Sequence, residues 1–451
     1  MPPFFEKLPP GGFRRVLNFG YKCLRLFSEK HFRSFFKTIS CKPCPVISIS
    51  FGGGVIKNRA ELDIKIHALL DSLFQKFGET NQKELISDRF FDLIQKLHDT
   101  NGEKVVILID EYDKPILDNI TNLDAAREIR EGLKNFYSVI KDSDAHVTFS
   151  LLTGVSKFSK VSLFSGLNNL QDITLDSRYA TLCGYTQHDL RTIFADQLRG
   201  VDLTQLKRWY NGYCFVGEAV YNPFDILLYL DRREFKNYWF ETGTPTFLID
   251  LLAKKQFPIP RLESMASDDS LMNSFDLDCI EIENLMFQTG YLTIKEVRHL
   301  AGEMVYILVY PNLEVKKSLT DRLLNYFSGV PSEKSIGKVN LFEALNEGNI
   351  DRLKDVFQAF FASIPHDWYR KNELSGYEGY YASIFSCYFT ALGLDVVAED
   401  TTNKGKVDMR VTLDHRIFIF EFKVVELTPT GKPLVQLKEK RYHEKYGSGL
   451  H

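Results

Sequence analysis

No apolar run in the 451 residues approaches the roughly 18 that a helix needs to cross a bilayer, so no membrane-spanning segment is expected. Cysteine is sparse. There are seven, scattered and odd in number, which argues against a disulfide framework and for a reducing compartment, hence a cytoplasmic location. Cys41 and Cys44 have C-x-x-C spacing, but no second pair completes a zinc site and nothing around them reads as a redox domain. A dominant charge is also lacking: the formal net charge of −3 gives no global sign of a polyanionic partner. Internal repeats and low-complexity tracts are absent. So is the phosphate-binding loop G-x-x-x-x-G-K-[ST]: Gly337-Lys338, Gly405-Lys406 and Gly431-Lys432 are not followed by Ser or Thr, and Phe19-Gly20-Tyr21-Lys22-Cys23 is at best a damaged version. Without those amide and lysine donors a nucleoside triphosphate loses its anchor, so ATP is not expected as a cofactor and ATP hydrolysis is not expected as an activity.

What remains is an ordinary globular composition, 44% hydrophobic and 25% charged, in a chain long enough for two or three domains. Charge is concentrated locally: residues 1–45 hold nine Lys/Arg against two Asp/Glu, and residues 401–451 hold ten against six. Basic ends suit a phosphate-rich partner and equally suit a solvated surface. The first of them, with Arg14, Arg15, Arg25 and Arg33, reads as a basic amphipathic helix, although it also has the look of a transit peptide.

Hydrophobic spacing divides the chain. Residues 45–51 form a short β-branched run closed by Gly52-Gly53-Gly54, and residues 104–109 an uninterrupted apolar run, as in strands covered on both faces. Between them, Leu62, Ile64, Ile66, Leu69, Leu70, Leu73 and Phe74, then Phe90, Phe91, Leu93, Ile94 and Leu97, recur at largely helical spacing. A helical stretch at 125–140 and a strand at 147–152 complete a β-α-β alternation, which predicts an α/β layered domain with a parallel sheet. From about 185 the pattern reads as mostly helical, with a helix start at Asn222-Pro223 and a short hairpin from 291–295 and 305–309. The polar stretch 328–337 reads as a linker. Beyond it come a long helix at 377–392, strands at 395–398, 407–411 and 417–422, and a final helix at about 434–446.

Two constellations carry chemistry. The first is Asp110-Glu111 at the end of the 105–109 strand, with Thr153 ending the next strand. This is how a magnesium-holding aspartate, a water-orienting glutamate and a polar γ-phosphate sensor stand at the carboxyl edge of a parallel sheet. A structural alternative remains open, in which Asp110 and Asp113 cap the following turn beneath Tyr112 and Pro115. The second is Asp408 on one strand, with Glu421 and Lys423 at the end of the next. Two carboxylates on adjacent strands can hold a hard cation, and a lysine two residues on faces the same way. In the alternative, Asp408 ends the turn that follows residues 403–406, and Glu421 and Lys423 make ion pairs at a sheet edge. The apolar lead-in 417–420 favours a site, since charges at the end of a buried strand need a metal, a partner or an exit to water.

A series of phrases in fixed order extends these signals. They include Val106-Ile-Leu-Ile-Asp-Glu-Tyr-Asp-Lys-Pro-Ile116, Leu152-Thr-Gly-Val-Ser156, Phe164-Ser-Gly-Leu-Asn-Asn169, Tyr210-Asn-Gly-Tyr213, Tyr221-Asn-Pro223, Thr242-Gly-Thr-Pro-Thr-Phe247, Gln288-Thr-Gly-Tyr-Leu-Thr-Ile294 and Pro311-Asn312 with Glu314-Val315. From about Pro45 onward the chain resembles the family that joins an AAA-ATPase-like domain to a PD-(D/E)XK nuclease domain. The resemblance implies that Asp110 and Glu111 match the Walker B pair and that Asp408, Glu421 and Lys423 match the nuclease core. It further matches Glu378 to an acidic residue on the helix that opens the nuclease fold, and Gln436 and Tyr442 to a polar helix after the core. The family normally has an intact Gly-Lys-Ser loop near its start and further strands past Tyr446, so both ends here look truncated or decayed.

The expected architecture is α/β: a basic segment at 1–45, a P-loop-like parallel-sheet domain at 46–184, a helical middle at 185–327, and a restriction-endonuclease-like domain at 338–451. The expected function is hydrolysis of nucleic-acid phosphodiester bonds, DNA or RNA, with Mg²⁺ or Mn²⁺ on Asp408 and Glu421 and help from Glu378 and Lys423. A catalytically inactive scaffold that binds nucleic acid or protein is the competing expectation.

Overall fold

The computed structural model describes residues 44–155, 170–239, 248–249, 251–252, 255, 257–268, 271, 281–300, 302–328, 334–363, 378–402 and 405–422. The order begins β1 (Val46–Ser50), α1 (Arg59–Phe77), α2 (Ile86–Asn101), β2 (Val105–Asp110), α3 (Lys114–Leu117), α4 (Leu123–Asp142) and β3 (Val147–Leu152). The three strands form one parallel sheet in the order β1-β2-β3. Along β2, Val105, Val106, Ile107 and Ile109 are fully buried, as an uninterrupted apolar strand between helical layers must be.

Local chemistry sets the helix ends. Asn58 accepts the Glu61 amide at 2.9 Å to start α1, and Gly78, at φ +72°, turns left-handed to stop it. Helix α4 buries Ala126, Ile129, Leu133, Phe136, Tyr137 and Ile140, a stripe spaced by three and four residues. The Phe136 ring stacks on Phe90 of α2 at a centroid distance of 4.7 Å.

The middle region holds α5 (Gln187–Ile193), α6 (Leu203–Tyr210), β4 (Asn211–Tyr213), β5 (Val220–Tyr221), α7 (Pro223–Arg232), β6 (Met265–Ser267), α8 (Ile282–Gln288), β7 (Thr293–Leu300), β8 (Glu303–Val309) and α9 (Leu313–Ser328). The hairpin expected in the otherwise mostly helical middle is present as β7 and β8, and further strands accompany it. A two-stranded β4-β5 ladder and a three-stranded antiparallel sheet ordered β6-β8-β7 stand among the helices. Most of β7 past Ile294 is exposed, so its sequence carries little of the in-out alternation that marks a strand.

Three of the sequence phrases converge in this region. Gly212 between Asn211 and Tyr213 has φ +132°, and a Cβ there would overlap the Pro311 carbonyl oxygen. That close approach brings Tyr213 toward the first turns of α7 and α9. Asp225 and Glu314 of those turns are both fully buried, and Glu314 accepts the Trp239 amide at 2.8 Å. The Tyr213 hydroxyl is pushed well above its ordinary pKa, first by burial and then by the charges of Asp225 and Glu314.

The last region comprises α10 (Lys334–Glu347), α11 (Ile350–Ser363), α12 (Glu378–Ala391), β9 (Asp395–Thr402), β10 (Gly405–Leu413) and β11 (Arg416–Phe420). The expected linker at 328–337 is shorter than read, since α9 runs through Ser328 and α10 has begun by Lys334. Strands β9, β10 and β11 form an antiparallel sheet in the order β11-β10-β9. Helix α12, with Ile384, Cys387 and Phe389 fully buried, lies between α9 and this sheet. Aromatic rings join the layers: Phe389 and Phe420 centroids are 5.0 Å apart, Phe385 and Phe422 4.9 Å, and Phe357 and Phe385 3.8 Å.

Phe389→Ala removes a fully buried ring from the joint between α12 and β11. A loss of about 3–5 kcal/mol is expected, to be measured by urea denaturation.

Candidate functional site

The predicted residues fall in two groups, and in the first the structure brings Asp110 and Thr153 together. The first is at the carboxyl edge of the parallel sheet. Asp110 ends β2 and is 2% exposed. Thr153, the residue after β3, donates its hydroxyl to Asp110 Oδ1 at 2.7 Å, and the Glu111 amide donates to the same oxygen at 3.1 Å. Strand pairing fixes this contact, because the Thr153 amide continues the ladder to the Ile109 carbonyl at 2.9 Å. Burial raises the Asp110 carboxyl above its ordinary value, and the two hydrogen bonds counter only part of that.

Glu111 adopts φ +53°, a left-handed conformation costly for a residue with a side chain. It is held there by the Tyr112 amide on the Thr153 carbonyl at 3.1 Å and by the Lys114 amide on the Glu111 carbonyl at 3.1 Å. Burial, then the neighbouring Asp110 charge, raises its carboxyl as well. Part of the structural alternative is also present: Asp113 is fully buried and accepts the Val155 amide at 3.2 Å, tying the turn after β2 to the end of β3. The segment with Phe19, Gly20 and Lys22 lies outside the described residues.

The second group is on β10 and β11. Asp408 lies inside β10 and does not end the turn at 403–406, which corrects that alternative. Val407, Met409 and Val411 are fully buried, and strand alternation sends Asp408 to the other face. The β10–β11 register ends with Met409 paired to Phe420, so Glu421 is the first residue beyond the ladder. Phe420 and Phe422 turn their rings to Phe385 on α12, with Glu421 between them in sequence. Past Phe420 the ladder ends, and the Phe422 amide donates to Asp408 Oδ2 at 2.8 Å. A side-chain carboxylate thus replaces a backbone acceptor where the two strands part.

Glu378 is the first residue of α12. Lys423, Gln436, Tyr442 and Cys41 lie outside the described residues. The strand leading to Glu421 is not the buried one expected: β11 is half-buried throughout, because it edges the sheet and faces an open apolar groove lined by Ile350, Leu353 and Phe357 of α11. One position escaped the sequence reading. On the other side of β10 the register sets Glu399 of β9 opposite Asp408, between the pairs Val407 with Asp400 and Met409 with Ala398. Acidic residues at the end of the 395–398 run were the available signal, lost by ending that strand too early.

The family model described as a predicted AAA-ATPase matches residues 24–164, and that of the PD-(D/E)XK nuclease superfamily matches residues 376–449. Over 402 residues the chain is 54% identical to a protein of Azotobacter chroococcum mcd 1 named "Uncharacterized protein in vnfD 5'region", covering 89% of this chain and 78% of that one. The chain belongs to the family that joins an AAA-ATPase-like domain to a PD-(D/E)XK nuclease superfamily domain. No solved structure matches it. Asp110, Glu111 and Thr153 fall in the AAA-ATPase-like match, and Glu378, Asp408, Glu421 and Lys423 in the PD-(D/E)XK match. No described helix is long and apolar enough to cross a membrane.

Because the Asp110 carboxyl is raised in the folded protein, folding there favours the proton, and stability falls as pH rises from the ordinary aspartate value of 3.8 through the raised one. Asp110→Asn keeps an oxygen for Thr153 and Glu111 without the charge. The variant is expected to melt above wild type at pH 7, with the gap closing toward about pH 4, as read by thermal melts across pH.

Proposed function

We propose that the protein is a divalent-metal-dependent nuclease whose AAA-ATPase-like domain serves as a scaffold without ATP turnover. What supports this reading is that Asp408 accepts the Phe422 amide, next in sequence to Glu421, just past the Met409–Phe420 pair where the β10–β11 ladder ends. Parting strands open a gap that backbone pairing no longer fills, and two carboxylates border it. Asp408 spends one oxygen on the Phe422 amide, which fixes the orientation of the carboxylate and leaves the second oxygen for another partner. An all-oxygen donor pair suits hard Mg²⁺ or Mn²⁺ better than zinc or copper.

When bound, such an ion supplies an acidified water and neutralises charge on a phosphate. The protein's own part is to hold and aim the carboxylates, which the Phe422 amide does for Asp408. Lys423, two residues past Glu421 on the same alternation, is assigned to the developing negative charge on the phosphate. Glu378 is assigned to a supporting acidic position at the start of α12. The substrate class is nucleic acid, DNA or RNA, and the basic balance of residues 401–451 supports it.

The test uses purified full-length protein with single-stranded and duplex DNA and RNA, in Mg²⁺ or Mn²⁺. Asp408→Asn retains an oxygen for the Phe422 amide, so it separates charge loss from unfolding; Glu421→Gln does the same for its partner. Each is expected to lower cleavage by about a hundredfold or more with an unchanged melting temperature. Wild-type binding without cleavage would leave the inactive scaffold as the better reading. Cleavage that persists in both variants would remove these carboxylates from the chemistry.

A further inference from the structure

At the amino edge of the parallel sheet, opposite to Asp110 and Thr153, two histidines face each other. His98 is in the last turn of α2 and His146 lies in the turn between α4 and β3. Their ring centroids are 5.0 Å apart with planes tilted by 46°. Each buries its Nδ1 without a hydrogen-bond partner among the described residues. Ser143, three residues before His146, is fully buried, and its hydroxyl likewise lacks a partner there. Three orphaned polar atoms in one corner ask for an explanation, since buried polar groups are nearly always satisfied.

Both rings are mounted rigidly. The His98 carbonyl accepts the Gly102 amide at 2.8 Å, the His146 carbonyl accepts the Val105 amide at 2.8 Å, and the His146 amide donates to the Ser143 carbonyl at 2.8 Å. The edge of Phe91 limits the His146 ring from the side. Two imidazoles on one tetrahedral ion, at metal–nitrogen bonds of about 2.0–2.1 Å, have ring centres about 5 Å apart. The observed spacing therefore already meets the need of a shared ion, and folding has fixed the groups before any ion arrives.

We propose that His98 and His146 form a binding site for a borderline divalent metal ion, Zn²⁺ or Ni²⁺ in class, that clamps the end of α2 to the start of β3. Neutral imidazole prefers such ions, whereas Mg²⁺ prefers oxygen, so this site and the carboxylate pair on β10 and β11 select different metals. Among the described residues no third histidine, cysteine or carboxylate joins the pair. Water or the Ser143 hydroxyl completes the coordination, and the ion exchanges with solution. The inference does not depend on the nuclease reading.

The experiment is equilibrium dialysis of the metal-free full chain against Zn²⁺, with and without excess Mg²⁺, for wild type, His98→Gln, His146→Gln and the double variant. Other thiols and imidazoles are common to all four and cancel. Wild type is expected to bind one more Zn²⁺ per chain than any variant, the double losing no more than either single, with Mg²⁺ unable to compete. Zn²⁺ is also expected to raise the melting temperature of wild type more than that of His98→Gln. Equal Zn²⁺ stoichiometry in wild type and the double variant overturns the proposal. Should His146→Gln fail to fold in metal-free melts, His98→Gln alone decides it.

Discussion

A β-strand can give only every second side chain to a core, and that constraint organises the candidate nuclease face. Val407, Met409 and Val411 are spent on the interior and fully buried, and the half-buried rings of Phe420 and Phe422 pack on α12. Asp408 then has no choice of face. Packing α12 against one side of the sheet thus positions this acidic group on the other without touching it. The aromatic joint sets the height and tilt of β11, and the Phe422 amide on Asp408 marks where the strand leaves its partner. Function and stability share these few residues, because the rings that fill the core also fix the separation point of the strands.

At the other sheet the same economy takes a different form. Parallel strands end their hydrogen-bond ladders at one edge, and Asp110, Thr153 and the strained Glu111 are gathered there. The raised carboxyl of Asp110 and the positive φ of Glu111 are both unfavourable to the fold. Costs of this kind persist where a site has been, or is, in use. The family assignment supplies a reason for the arrangement, since this edge is where an AAA-ATPase-like domain would meet a nucleotide.

Much of the layout was legible in the residues. The unbroken run of β2, the helical stretch of α4 and the cap at Asn222 are local signals, each decided within a few residues of chain. The errors fell where burial and pattern part company. β7 is largely exposed and lost its alternation, β9 ran on past Ala398 into polar residues, and β11 imitated a buried strand while sitting at an edge. An apolar strand and an apolar groove look alike in sequence, because sequence records the preference of a side chain and not the neighbour that meets it.

By itself, then, the sequence determined the kinds of element, the carboxylates and hydroxyl that could do chemistry, and the family, since these are properties of short segments in order. Only the tertiary structure decided that Thr153 bonds Asp110, that Asp408 takes the Phe422 amide past the end of the β10–β11 ladder, and that His98 faces His146. Each of those pairs joins residues on different elements. Their distance depends on how strands pair and helices dock, which is a sum over the whole core that no local stretch of chain contains.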